Sequence, residues 1–280
     1  MSATVVTFPQ GAVTAEATVV QVGDVVILDA TPFHPVDHTW PDQPGDSGVL
    51  RADGVVVPVV EAVMAALDAD GALFVGEDIP VKRGTEDWTW LVGHRVEGPV
   101  PAAIAAGASV SAEVDAARRA ALSRGHTACH LASLALDLAL ADLWRKDPGT
   151  DALGTPDFES RASQSSSIHP DGSVDGYRLG KSLRKAGFDT EGFLASVADR
   201  QDRINAQLAA WVASGVASRI VVDGPTIADR RRWECDLAEG TASIPCGGTH
   251  VRSLSEFASI TVTLDVSDPQ LLIMATTVVP

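Results

Sequence analysis

Gly125-His-Thr-Ala-Cys-His-Leu-Ala-Ser-Leu-Ala-Leu-Asp-Leu138 reads as the middle of a long helix. Leu131, Leu134 and Leu138 recur at the i, i+3, i+7 spacing of one helical face. The pattern extends over Asp115–Lys146, and Asp147-Pro-Gly149 closes it, because proline lacks the N–H and the ring freedom a helix needs. His126 and His130 stand four residues apart within it, so both imidazoles face the same way, one turn apart. A helix presenting two nitrogens in this manner supplies half of a metal site. Taken alone, the same spacing also arises by chance.

The other half lies far downstream, in Pro245-Cys-Gly-Gly-Thr-His250. Gly247 and Gly248 allow a sharp backbone turn, so that the Cys246 thiol and the His250 imidazole can converge. Alone, this segment is equally a tight surface turn with an incidental cysteine. Together the two segments offer three imidazoles and one thiolate, His126, His130, His250 and Cys246, a set suited to Zn2+.

Outward from the helix, the N-terminal side is rich in short valine runs. Thr18-Val-Val-Gln-Val22, Val25-Val-Ile-Leu28, Val55-Val-Val57 and Trp88-Thr-Trp-Leu-Val92 are separated by Gly, Pro and Asp, as in a small barrel or sandwich. One helical interruption is expected near Val59–Leu67. On the C-terminal side, residues 148–176 read as loops with at most one strand, and a second helix covers Thr190–Val212 ahead of Gly215. The expected fold class is α+β: a small β-barrel-like N-terminal domain over 1–108, followed by an α/β zinc-binding domain over 109–280.

Composition narrows the class. Apolar residues make up 45% of the 280 and aromatics only 5%, so the core is aliphatic and the chain is globular. No apolar run is long enough for a membrane helix, and the N-terminus has no basic start or apolar stretch of a signal peptide. Three cysteines make no disulfide framework, and a cytoplasmic location is expected. The net charge of −16 is awkward for a nucleic-acid partner. Only four of the 21 basic side chains lie within residues 1–110, so phosphate would have to be held by local patches in the remainder.

The two motifs, with the segments around them, resemble the editing domain of alanyl-tRNA synthetases and of their stand-alone relatives; threonyl-tRNA synthetases carry a related domain. His94-Arg-Val-Glu-Gly-Pro99, Gly107, Asp115 and Arg118-Arg119 are similar to the family's approach to its first metal motif. Leu28-Asp-Ala-Thr-Pro-Phe33 and Gln43-Pro-Gly-Asp-Ser-Gly48 are similar to its N-terminal loop. The stretch His34–Asp42 departs from it, being longer and without the usual glycines, and so does Arg178–Phe188.

The resemblance implies a trans-acting aminoacyl-tRNA deacylase: zinc-dependent hydrolysis of the ester on mischarged tRNA. The expected targets are Ser or Gly on alanine tRNA, or a threonine-like or non-standard amino acid. It also implies a water held at the metal by His126, His130, Cys246 and His250. Thr127 would read the substrate side chain, with Gln43, Gly247, Gly248 and Thr249 lining the substrate site. Four protein ligands would close a tetrahedral site, whereas a catalytic one keeps an open position.

For tRNA, the densest cationic runs are Arg230-Arg-Arg232 and Arg178, Lys181, Arg184 and Lys185; each is equally a solvated face. His34, Asp37, His38 and Asp42 read either as a second metal cluster or as a polar loop, and Cys129 either as an extra ligand or as a packed small side chain. Ser165-Ser-Ser167 shows no neighbouring base in the sequence. The competing functions are a zinc hydrolase of a small ester or amide without tRNA, and a non-catalytic zinc-stabilised binding module. No DNA or membrane partner is expected, and the oligomeric state is open.

Overall fold

The computed structural model describes residues 1–280 and is a mixed α+β chain with several sheets. It separates into two compact units. The first comprises Met1–Ala120, Ile220–Arg232 and Pro245–Thr249, and the second Ala121–Arg219, Trp233–Ile244 and His250–Pro280.

The first unit is built on β1 (Val5–Val6), β2 (Thr14–Val22), β3 (Val26–Leu28), β4 (Ala30–Thr31), β5 (Gly48–Ala52), β6 (Val55–Leu67), β7 (Leu73–Val75), β8 (Thr89–Val96) and β9 (Ser109–Val114). Its main sheet runs β5-β9-β2-β3-β8-β6-β7, all antiparallel, and β5 also pairs with β6, so that the pairing is cyclic. Local chemistry fixes its turns. Asp53 and Gly54 both take positive φ, 48° and 78°, as a two-residue hairpin requires, and Ala52 faces Val55 across it.

The helix expected near Val59–Leu67 is instead the second half of β6. Ala62, Met64 and Ala66 enter the main aliphatic core with Val26, Leu28, Leu50 and Val92. Val63, Ala65 and Leu67 enter a second cluster with Val25, Ile27 and Leu91. A strand buried on both faces carries no polar alternation, so its Ala- and Met-rich run is indistinguishable from a buried helix by pattern.

The long helix is α1 (Ala116–Leu140), prolonged by a 3-10 turn over Ala141–Leu143. It is followed in the second unit by α2 (Glu159–Ala162), β10 (Ser163–His169), β11 (Gly172–Arg178), α3 (Lys181–Ala186), α4 (Thr190–Leu194) and α5 (Val197–Ser214). β12 (Ser218–Val222), β13 (Arg231–Leu237) and β14 (Gly240–Pro245) form a three-stranded sheet, and β15 (Ser259–Asp265) and β16 (Leu271–Val279) complete a second sheet of order β10-β11-β16-β15. The segment 148–176 therefore holds most of a β-hairpin rather than loops with one strand. Its serine-rich first strand, with Ser165 and Ser166 set against Gly176 and Asp175, gives no apolar alternation to read. The second helix is interrupted at Ala195–Ser196, where the Ser196 hydroxyl donates back to the Gly192 carbonyl, and Gly215 ends it at φ 59°.

Inside this unit α1 is buried almost all round from Leu131 to Leu140. Asp137 is buried with it and accepts from the N–H groups of Phe158 and Glu159, capping the start of α2. Burial, with Glu159 nearby, pushes the Asp137 carboxyl up to about 9. Gly125 has a steric purpose. A Cβ there would stand 2.4 Å from the His169 carbonyl oxygen and 2.7 Å from that of Gly172, so only glycine lets α1 cross the β10–β11 hairpin so closely. The crossing fixes the turn of helix that carries His126 and His130.

Candidate metal centre

On α1 the His126 and His130 rings lie with centroids 4.8 Å apart. The His250 ring stands 4.4 Å from the first and 5.1 Å from the second. Trp233, on β13, packs against His130 at 5.3 Å and His250 at 5.6 Å, a wall the sequence did not flag. One ligand atom from each of His126, His130, Cys246 and His250 lies within 4.8 Å of all the others. The four residues predicted from spacing are therefore brought together as a group that can hold a metal ion.

The donors suit a cation. His130 Nε2 is buried with no hydrogen-bond partner, and burial lowers the ring to about 4, so that it is a neutral, lone-pair donor at neutral pH. Burial lifts the Cys246 thiol to about 12, with the Gly248 N–H donating to its sulfur at 3.4 Å. A thiol that reluctant is no nucleophile by itself; a metal ion is what would make it a thiolate.

Thr127 is fully buried, and its hydroxyl is used three ways. It donates to the Ser123 carbonyl at 2.9 Å and accepts from the Val251 N–H at 3.1 Å. Its remaining lone pair faces His250 Nδ1 at 3.1 Å. Because the single hydroxyl proton goes to Ser123, the ring nitrogen is the donor there, and Nε2 carries the lone pair. Thr127 thus sets the tautomer and angle of a candidate ligand. Thr127→Val is expected to weaken metal affinity about 10–100-fold, with Thr127→Ser close to the parent, as measured by competition with a chromophoric chelator. Equal affinities for all three proteins would remove this role.

Gln43 and Thr249 hold the glycine turn in shape. Gln43 Nε2 donates to Thr249 Oγ1 at 2.9 Å, and the Thr249 N–H donates to Gln43 Oε1 at 3.1 Å, both side chains being buried. Gly247 is half-exposed and Gly248 buried. Asp46, from the same N-terminal motif as Gln43, receives the Arg119 guanidinium through both oxygens in a buried ion pair and also accepts from the His34 N–H. Burial keeps the His94 ring neutral between Thr31 Oγ1 and the Val26 carbonyl, each at 2.8 Å, so it is a structural core histidine.

The remaining candidates separate. His34, Asp37, His38 and Asp42 form no metal-holding group: His38 Nε2 bonds the Val81 carbonyl, and Asp37 receives Thr39 and Trp40 and pairs with Arg83 at 3.7 Å. Cys129 points to Asp175 at 3.5 Å, where Ser166 and Ser173 also donate, outside the metal-holding group. The run Arg230–Arg232 is divided by strand geometry. Arg231 is buried, whereas Arg230 is exposed and Arg232 lies 3.6 Å from Asp223. Arg178, Lys181, Arg184 and Lys185 are all exposed around α3.

No protein-family profile matches the chain. Among curated proteins it is similar to alanine–tRNA ligases. It is 28% identical to that of Parafrankia sp. over 242 residues, 84% of this chain and 22% of the relative. The corresponding enzyme of Frankia alni is 29% identical over 88% of this chain and 23% of its own length, and that of Cupriavidus necator 27% over 86% and 22%. The chain thus spans about a fifth of the length of these relatives. No helix is long and apolar enough to cross a membrane.

Proposed function

We propose that this chain is a zinc-dependent aminoacyl-tRNA deacylase, hydrolysing the ester of mischarged tRNA. The observation that carries this reading is the convergence of His126, His130, Cys246 and His250, on a chain similar to one segment of alanine–tRNA ligases. Three imidazoles and a thiolate would hold Zn2+. Bound there, zinc supplies Lewis-acid polarisation of the ester carbonyl and acidification of a water. The residues of the chain do the rest. Thr127 orients His250, Trp233 covers one side of the His130 and His250 rings, and the Gln43–Thr249 pair keeps the Cys246–His250 turn in register. Serine or glycine on alanine tRNA is the first substrate class to try.

The rival reading is a hydrolase of small esters with no tRNA, and the acidity of the chain favours it. The distribution of ion pairs favours tRNA. Arg51, Arg95, Arg145 and Arg219 each pair with a carboxylate, whereas Arg178, Lys181, Arg184 and Lys185 have no carboxylate in ion-pair range. Lys146 joins them by donating to the Lys185 carbonyl. An unneutralised cationic face on an acidic chain suits a phosphate backbone. Replacing these four side chains with alanine is expected to weaken tRNA binding and to flatten its log–log salt slope by about 0.7–0.9 per lost phosphate contact. Filter binding across a salt series measures this; an unchanged slope would place the RNA elsewhere. A panel of mischarged tRNAs tests the activity itself.

A further inference from the structure

The first unit contains two guanidinium groups converging on one glycine, and the mechanism above uses neither. A Cβ built on Gly247 would meet Arg83 Nη1 at 3.4 Å, Arg83 Nη2 at 3.6 Å and Arg231 Nη2 at 3.9 Å, and no other atom so near. Arg231 is only 6% exposed. It lies over the Phe8 ring at 5.3 Å and reaches the Thr226 and Ile227 carbonyls only at 3.3 and 3.5 Å. Its Nε has no partner, and no carboxylate comes within ion-pair distance of it. Arg83 has only the long contact to Asp37 at 3.7 Å. His34 Nδ1 is a second buried atom without a partner; burial first, then Arg119, with smaller contributions from Arg231 and Arg83, disfavours a charge on that ring.

Asp229 and Asp37 act on Arg231 only from beyond ion-pair distance, so two cations held together, one of them buried, are costly unless a closer anion completes them. Guanidinium forks match the oxygens of a phosphate. Gly247 adjoins Cys246, a candidate metal ligand, and terminal nitrogens of both guanidinium groups come within 3.9 Å of where a Gly247 Cβ would stand.

We propose that Arg83 and Arg231 form an anion subsite over Gly247 that receives the 5′-phosphate of the 3′-terminal nucleotide of tRNA. This rests on the deacylase reading, in which the ester sits on the 3′ end of the same ribose. That ester and the 5′-phosphate are carried by one ribose, and Cys246, a candidate metal ligand, is the chain neighbour of Gly247.

The test uses the full chain and two seryl esters, one on the 3′ oxygen of adenosine and one on that of adenosine 5′-phosphate. The phosphate is expected to raise kcat/KM about tenfold, mainly through KM, and Arg83→Gln to bring the ratio of the two esters close to one. Calorimetry with adenosine 5′-phosphate against adenosine reads the subsite without any turnover, and the same tenfold preference is expected. Arg83 is the decisive position, because Arg231 also braces the Thr226–Ile227 turn and its loss can disturb folding. Equal binding of the two nucleosides, or a phosphate preference that survives Arg83→Gln, would overturn the subsite. Failure to hydrolyse either ester would count against the deacylase reading, and the calorimetric preference would still decide the subsite.

Discussion

His130→Ala and Cys246→Ala are each expected to lower the zinc content of the purified protein from about one ion per chain to below about a tenth, and to lower the proposed deacylation by about three orders of magnitude or more. The expectation follows from the donor geometry. Each substitution leaves three of four ligand atoms that otherwise lie within 4.8 Å of one another, and the remaining set is a poorer match to a four-coordinate ion. His130→Ala also removes a ring packed against Trp233 and His250, so a modest loss of stability accompanies it. Circular dichroism separates the two effects: the strand and helix signal should persist while metal and turnover vanish. Elemental analysis showing a full complement of zinc in either variant would remove that residue from the ligand set.

The second large effect is on stability. Asp46→Ala is expected to destabilise the protein by about 3–5 kcal/mol, seen as a fall in the thermal midpoint of roughly 10 °C. Asp46 is 1% exposed and Arg119 6%, and the ion pair between them is further tied by Arg119 donating to the Pro32 carbonyl at 2.7 Å. Removing the carboxylate takes away the ion pair that both of its oxygens make with the buried Arg119 guanidinium and leaves the His34 N–H without its acceptor. By contrast, Glu113→Ala breaks an ion pair whose two side chains are both 48% exposed, and is expected to cost no more than about 1 kcal/mol. Similar midpoints for the two variants would show that the buried pair contributes nothing special.

What was legible in the sequence was short-range. The spacing His126–His130 on a helix and Cys246–His250 across two glycines names four side chains, and the structure gathers those four. Gly215 stops α5 at a left-handed position, as glycine after a helix commonly does. What was illegible depends on partners distant in the chain. Gln43 and Thr249 are 206 residues apart, and nothing local marks them as a pair. Arg231 sits in a run of three arginines that reads as one solvated patch until β13 turns the middle one inward. The buried half of β6 lacks alternation because both of its faces meet core. Trp233 carries no motif, and its place beside two histidines appears only when β13 and α1 are both folded.

Thr127 shows how a residue can be well chosen and differently employed. Its position beside His126 marks it as part of the centre. It is fully buried, and its hydroxyl meets the Ser123 carbonyl, the Val251 N–H and His250 Nδ1, partners that its place in the sequence does not announce.

The most direct measurement of the central claim is deacylation of seryl- and glycyl-tRNA for alanine by three samples: the protein as purified, the protein stripped by a strong chelator, and the stripped protein given one equivalent of zinc. Activity in the first, its loss in the second and its return in the third is the predicted result. Full activity in the stripped sample, or none on any mischarged tRNA with the four-residue centre loaded, would contradict the account.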